Sequence, residues 1–302
     1  MARILPNLDD QCDLFGLARD SIKTHLKKIL AGTGLFKVPK LNGLMRTIAG
    51  MHFHFMPELF VQLEGINMFA CPGERFHLRP GETCIMPRGM PHAETVKLAH
   101  GRFFMLVFMY HALELSVLLA NGLQGGRPQA LKSIRINHPR VLRAAEYLED
   151  IARILDAGGS NTKTIALGLL AAHLAEILNI MKSDPGTRRD EPYKITQVKQ
   201  LIVSRLDDPG LGVRKLAEWS GCSPDYLSYL FHKWTGQTLL STINRYRLSQ
   251  AQYLLHNSSK NIKEIALAAG FADPDYFGRL FRRTTGQTPT TYRRKINANF
   301  PR

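Results

Sequence analysis

The chain has 302 residues, of which 44% are hydrophobic, enough for two globular domains with ordinary cores. Its net charge of +15 points to a polyanionic partner, of which nucleic acid is the commonest. Cys12, Cys71, Cys84 and Cys222 fit no zinc or redox spacing, and the opening MARILPNLDD lacks the apolar core of a secretion signal, so a cytoplasmic protein is expected.

Residues 1–34 are mixed, with a short helix expected around Leu14–Leu30. Residues 35–110 carry short apolar runs punctuated by Pro and Gly: LFVQLEG, PGERFHLRPGETCIMPRGMPH and GRFFMLVFMY. This pattern predicts a small all-β barrel or sandwich. The apolar stretch 103–119 is interrupted by His111 and Glu114 and is too short to span a bilayer.

Within this region His52, His54 and Glu58 precede Gly65, and Gly81, Pro87 and Gly89 precede His92. Strand alternation would place His52 and His54 on one face. Two imidazoles, a carboxylate and a third imidazole from a neighbouring strand would suit zinc, iron, nickel or manganese. Without metal, the same four residues would line a pocket or satisfy one another in the core.

Residues 138–182 read as two amphipathic helices separated by Gly158-Gly159. The second, from about Thr164 to Met181, is apolar around most of its circumference and must be buried, either on the β domain or against a second subunit. SDPGTRRDEP, at 183–192, reads as a linker, and from Tyr193 onward the chain reads as helices with short turns.

The C-terminal region contains a repeat. LAEWSGCSPDYLSYLFHKWTGQT (216–238) is answered by IALAAGFADPDYFGRLFRRTTGQT (265–288). In the first copy a short helix (Val213, Leu216, Ala217) ends at Gly221. Ser223 then caps a second helix with Pro224 at its first position and an apolar face of Leu227, Leu230, Phe231 and Trp234. In the second copy Ile262, Ile265 and Ala266 lead to Gly270, and Asp273 caps a helix that buries Phe277, Leu280 and Phe281. Helix, glycine turn and capped helix form the helix-turn-helix layout, whose second helix lies in a DNA major groove. The outward residues are Asp225, Ser228, Tyr229 and His232, with Lys233 beside them, and Asp275, Gly278, Arg279 and Arg282. Arg279 is the best placed to read a guanine bidentately, whereas Arg282, Arg283, Arg293 and Arg294 suit phosphates. Residues 239–256 read as one helix joining the units, with Arg245, Arg247 and Gln250 on its polar side. That spacer could set the two recognition helices in successive major grooves, about 34 Å apart.

Residues 193–297 resemble the AraC/XylS family of bacterial transcription regulators, most specifically through Gly270-Phe271, Asp273, Tyr276-Phe277, Arg279, Phe281-Arg282, Gly286, Pro289 and Tyr292-Arg293. The resemblance implies base contacts at Asp225, Ser228, Tyr229, His232, Asp275, Gly278, Arg279 and Arg282. Tyr229 stands where members often carry a basic residue. The His52/His54/Glu58 and His92 spacing resembles the two cupin motifs, in which the three histidines and the glutamate are metal ligands, although Arg46 and Val96 replace the motifs' usual glycine and asparagine. AraC/XylS regulators often carry a cupin-like sensor whose metal site has decayed into an organic-effector pocket.

The expected fold is therefore an α+β multidomain chain: a segment 1–34, a cupin-like effector domain 35–135, a helical dimerisation region 136–182, the linker 183–192, and an all-α DNA-binding domain 193–302 with two helix-turn-helix units. The expected function is regulation of transcription, activation more than repression, under a small-molecule or metal effector. The expected partners are promoter DNA, RNA polymerase and a second copy of the chain, with no membrane. The alternatives are a metal-dependent cupin enzyme with an attached DNA-binding module, and an architectural DNA binder.

Overall fold

The structure, a computed structural model, describes residues 13–42, 44, 48–54, 56–111, 114–182, 188–190 and 192–299. The chain divides into two compact units, Met1–Thr196 and Gln197–Arg302.

The first unit is built on a sheet of seven strands: β1 (Phe36–Lys37), β2 (Glu58–Glu64), β5 (Thr83–Met86), β7 (Phe104–His111), β8 (Glu114–Asn121), β9 (Gln129–Asn137) and β10 (Arg188–Asp190). Their spatial order is β1-β5-β2-β7-β8-β9-β10. A second sheet has the order β4-β3-β6, from β3 (Ile66–Cys71), β4 (Glu74–Leu78) and β6 (Ala93–Lys97). Period-two alternation divides the large sheet between two cores. Leu59, Val61, Ile85, Leu106, Phe108 and Val117 share one hydrophobic cluster with helices α1 (Leu14–Leu30), α2 (Val141–Ala157) and α3 (Thr162–Lys182). Phe60, Cys84, Met86, Met105 and Val107 belong to another cluster, with Phe69, Cys71, Leu78 and Val96 of the smaller sheet. Both faces of the central strands are covered, so their sequences read as continuous apolar runs rather than as alternation.

The stretch 103–119 forms most of β7 and β8. Helix α3 is long and apolar enough to cross a membrane by length and composition. Here its Ala166, Leu170, Leu174, Ile177 and Ile180 are buried in the cluster shared with α1, α2 and the sheet. The first helix expected within 1–34 forms as read, capped by Asp13, whose side chain accepts from Gly16 N. Its Leu14, Ala18 and Ile22 are part of the same core. Two boundaries differ from those read in the sequence. β9 continues past residue 135 to Asn137, and residues 188–190 of the expected linker pair antiparallel with β9. Backbone pairing there needs no side-chain periodicity, so the sequence carries no sign of it. Residues 183–187 and 191 lie outside the described residues, as do 1–12 and Arg46.

The second unit is helical: α4 (Tyr193–Ser204), α5 (Val213–Trp219), α6 (Pro224–Thr235), α7 (Leu239–Asn257), α8 (Ile262–Ala268), α9 (Pro274–Thr285) and α10 (Pro289–Asn299). In both copies of the repeat a seven-residue helix leads through a glycine of positive φ, Gly221 at +62° and Gly270 at +84°, into a capped twelve-residue helix. The repeated Thr-Gly-Gln-Thr run terminates these second helices. Thr235 and Thr285 donate to Phe231 O and Phe281 O and accept from Gln237 N and Gln287 N, while Gly236 and Gly286 take left-handed backbone. Thr238 then caps α7, which is continuous as expected.

Candidate functional site

The two capped helices present polar outer faces. In α6, Ser223 accepts from Tyr226 N, Pro224 follows, and Leu227 and Phe231 are buried. Leu230 and Trp234, expected to be buried, are half-exposed. Asp225, Tyr229, His232 and Lys233 are exposed, and the Lys233 ammonium lies 5.7 Å from the centre of the Tyr229 ring. Ser228 is half-buried and its hydroxyl donates to Pro224 O at 2.8 Å, so contact with a base edge would compete with that bond.

In α9, Asp273 accepts from Asp275 N at 2.8 Å, and Phe277, Leu280 and Phe281 are buried. Asp275, Arg279, Arg282 and Arg283 are exposed. Gly278 leaves a gap in that face, where a side chain's Cβ would meet no atom within 4 Å. Arg279 Nη2 stands 3.9 Å from Asp273 Oδ2, a loose, solvent-exposed pair that leaves the guanidinium able to reach outward. On α10, Arg294 is exposed, whereas Nε and Nη2 of Arg293 are buried with no hydrogen-bond partner among the described residues. The two arginines therefore differ as phosphate-binding groups.

The spacer helix departs from its sequence reading. Arg247 and Gln250, read as polar surface, are buried. Arg247 donates from Nε to Leu206 O at 3.3 Å and from Nη2 to Asp208 O at 2.7 Å, and it lies over Phe271. Gly270 packs against the same carbonyl: a Cβ there would stand 2.0 Å from Leu206 O. Arg247 thus joins the turn of the second helix pair to the loop that precedes the first.

A second constellation lies inside the first unit. His52 and His92 form an isolated antiparallel bridge, exchanging N–H···O bonds of 2.9 and 2.8 Å. His54 follows two residues on, and Glu58 opens β2. The ligand atoms of His52, His54 and His92 all lie within 4.8 Å of one another. Glu58 Oε2 is 3.5 Å from His54 Nε2 and 3.9 Å from His92 Nε2. The four residues singled out in the sequence therefore converge, although His52 and His54 lie outside the named strands.

His92 Nδ1 is 2.9 Å from Met90 O, a bond that only an Nδ1–H can donate. Burial disfavours a second proton on the ring, so Nε2, 3.9 Å from Glu58 Oε2, is the unprotonated nitrogen, a common arrangement for a metal-binding imidazole. Burial holds His52 neutral, with its pKa lowered to about 4, and lowers His92 as well. Burial also raises the Glu58 carboxyl. Glu58 Oε2 and His92 Nε2 are buried without a hydrogen-bond partner among the described residues. Unpaired buried polar atoms are costly. Neutral imidazoles facing a carboxylate fit a divalent cation, which would bind through His52, His54, His92 and Glu58.

A family model described as a helix-turn-helix domain matches residues 216–295. The uncharacterized HTH-type transcriptional regulator YijO of Escherichia coli is 27% identical over 245 residues, covering 80% of this chain and 82% of that protein. The arabinose operon regulatory protein of Salmonella typhimurium is 26% identical over 249 residues, covering 78% and 82%. The transcriptional activator RhaR of Cronobacter sakazakii is 44% identical over 72 residues, covering 24% and 25%. Among solved structures, the DNA-binding domain of AdpA, in complex with a target DNA, is 28% identical and covers 36% of this chain and 97% of that one, with a TM-score of 0.35.

The chain carries a helix-turn-helix domain of the AraC type and is similar over most of its length to AraC-type regulators of transcription. It is a DNA-binding regulator of transcription. As in the family resemblance, the outward residues of both repeats fall on α6 and α9. Three groups had escaped the sequence reading. Arg247 looked like surface because it sits among polar neighbours on α7. Tyr110 and His173, fully buried, join β7 to α3 by a 3.0 Å contact, and His173 Nδ1 donates to Ala144 O at 2.8 Å. Glu94 lies two residues beyond His92, with Oε1 4.0 Å from His92 Nε2. The i, i+2 spacing was a usable signal for Glu94, because alternation returns that side chain to the face of His92.

Proposed function

We propose that this AraC/XylS regulator reads promoter DNA through two helix-turn-helix units, α5–α6 and α8–α9, and that its cupin-like N-terminal unit binds the effector controlling it. The observation that carries the first part is the duplicated geometry: a left-handed glycine turn, a capped helix, a buried aromatic face and an exposed polar face. Arg279 reads a base. Asp225, Ser228, Tyr229, His232, Asp275, Gly278 and Arg282 are the other base-facing positions, with Lys233, Arg283 and Arg294 toward phosphates and Arg293, half-buried, a lesser contact there. The convergence of the half-buried His52 and His54 with the buried Glu58 and His92 supports an effector site in the first unit.

The regulator acts in the cytoplasm as a homodimer and, by resemblance, activates transcription with RNA polymerase. The effector would shift the balance between two arrangements of the chain in proportion to its differential affinity for them.

Competition binding of the full chain to a target duplex and its single-base variants tests the DNA reading. Arg279→Ala should cost about 1–3 kcal/mol on the preferred base and relax preference at that one position. An equal loss on every sequence would remove Arg279 from the base-reading set.

A further inference from the structure

Metal-binding cupin motifs account for four residues of the buried centre, but this chain places a fifth there. Glu94 is on β6, with its side chain 12% exposed and Oε1 4.0 Å from His92 Nε2. Glu58 has a side chain 4% exposed, and its Oε2 is 3.9 Å from the same nitrogen. Two carboxylates therefore flank one buried imidazole whose Nε2 has no hydrogen-bond partner among the described residues. Two buried carboxylates repel each other and lose their hydration, and the charge of Arg127, which reaches Glu94, offsets one of them at most.

The distances suggest what would resolve this conflict. Atoms bound at about 2.1 Å to one ion stand about 3–4 Å apart. The separations of 3.5, 3.9 and 4.0 Å among Glu58, His54, His92 and Glu94, and the histidine cluster within 4.8 Å, are close to that range. Three neutral imidazoles and two carboxylates around a divalent ion would be electrically neutral. Mixed nitrogen and oxygen donors favour zinc, iron, nickel, cobalt or manganese over a soft ion, with the three histidines as the core of the cluster and the two carboxylates at its edge.

We propose that Glu94 completes a divalent transition-metal centre with His52, His54, His92 and Glu58, and that this ion is the effector of the regulator. The inference rests on the regulator reading above, and it makes the sensed species the ion itself. Glu94 supplies the second negative charge, so the centre would discriminate by ion charge.

The test uses the full chain, loaded separately with zinc, nickel, manganese and ferrous salts, desalted, and measured for bound metal. Affinity is then compared between the native protein and Glu94→Gln, with far-UV circular dichroism as a check on folding. DNA affinity is measured for the native protein with the ion and with a chelator. The expected result is one ion per chain, affinity at least tenfold lower in Glu94→Gln, and DNA affinity changed at least fivefold by the ion. Failure to retain any of the four ions, or equal affinity in folded Glu94→Gln, overturns the five-residue centre. A retained ion that leaves DNA affinity unchanged overturns the effector assignment. Chelated native protein also serves as a separate control: if it binds a preferred duplex, the regulator reading stands whatever the metal result. If neither form prefers any duplex, that reading falls while the metal stoichiometry still decides the centre.

Discussion

The two glycine turns provide an internal comparison, because the same repeat position has two different environments. Gly221 has φ +62° and nothing within 4 Å of where a Cβ would stand. Gly221→Ala should therefore cost only the strain of a left-handed alanine, about 1–2 kcal/mol. Gly270 has φ +84°, and its Cβ would meet Leu206 O at 2.0 Å and Arg247 Nε at 2.9 Å. No real Cβ tolerates that approach to backbone, so the α4–α5 loop or Arg247 must move. Moving either one strains the buried Arg247–Leu206 and Arg247–Asp208 bonds. Hydrogen bonds to a charged donor contribute about 1.5–3 kcal/mol. Gly270→Ala should then cost about 3–5 kcal/mol, well above its counterpart. Trp219 and Trp234, the two tryptophans of the chain, both lie in the second unit. Urea unfolding of the full chain followed by tryptophan fluorescence therefore reports on that unit selectively. Equal destabilisation by the two substitutions would refute the packing argument and leave only backbone strain.

Arg294→Ala should weaken binding to all duplexes alike and reduce the slope of log affinity against log salt by about one, whereas an unchanged slope would remove Arg294 from the phosphate contacts. Arg247→Met should destabilise the second unit by about 2–4 kcal/mol, since it leaves the Leu206 and Asp208 carbonyls unpaired, and the same urea titration checks this. Burial holds the pKa of His173 at about 4 in the folded chain, against about 6.5 unfolded. The unfolded state therefore binds the extra proton as pH falls from about 6.5 to 4, and stability is lost over that window. Relative to His173→Gln, the native protein should lose up to about 3 kcal/mol between those pH values, measured by thermal unfolding followed by circular dichroism. A constant gap between the two proteins would contradict the buried neutral imidazole.

The DNA-binding half was legible because glycine, proline and capping residues carry their conformational demands in their identities. Gly221, Ser223-Pro224 and their counterparts mark the helix boundaries without any knowledge of packing. The histidine centre was legible only as a spacing, since His52, His54 and His92 belong to no named strand and only His52 pairs with His92, through a single bridge. Positions whose role depends on a distant neighbour were not legible. Arg247 is polar among polar residues on α7, and only the carbonyls of Leu206 and Asp208 explain its burial. Glu94 matches no motif; only its i, i+2 spacing from His92 marked it, and its significance comes from the His92 nitrogen that Glu58 also approaches. Strand β10 is recognised by its backbone pairing with β9, which leaves no sequence periodicity and explains why residues 188–190 read as linker.

The most direct test of the account is selection of binding sites from random duplex DNA by the full chain, performed in parallel with Arg279→Ala. The account predicts enriched sites with two conserved blocks about one helical turn apart. In the variant, preference should relax at one base position within one block while the other block is retained. A single block, the same preferences in both proteins, or enrichment no better than non-specific binding would contradict it.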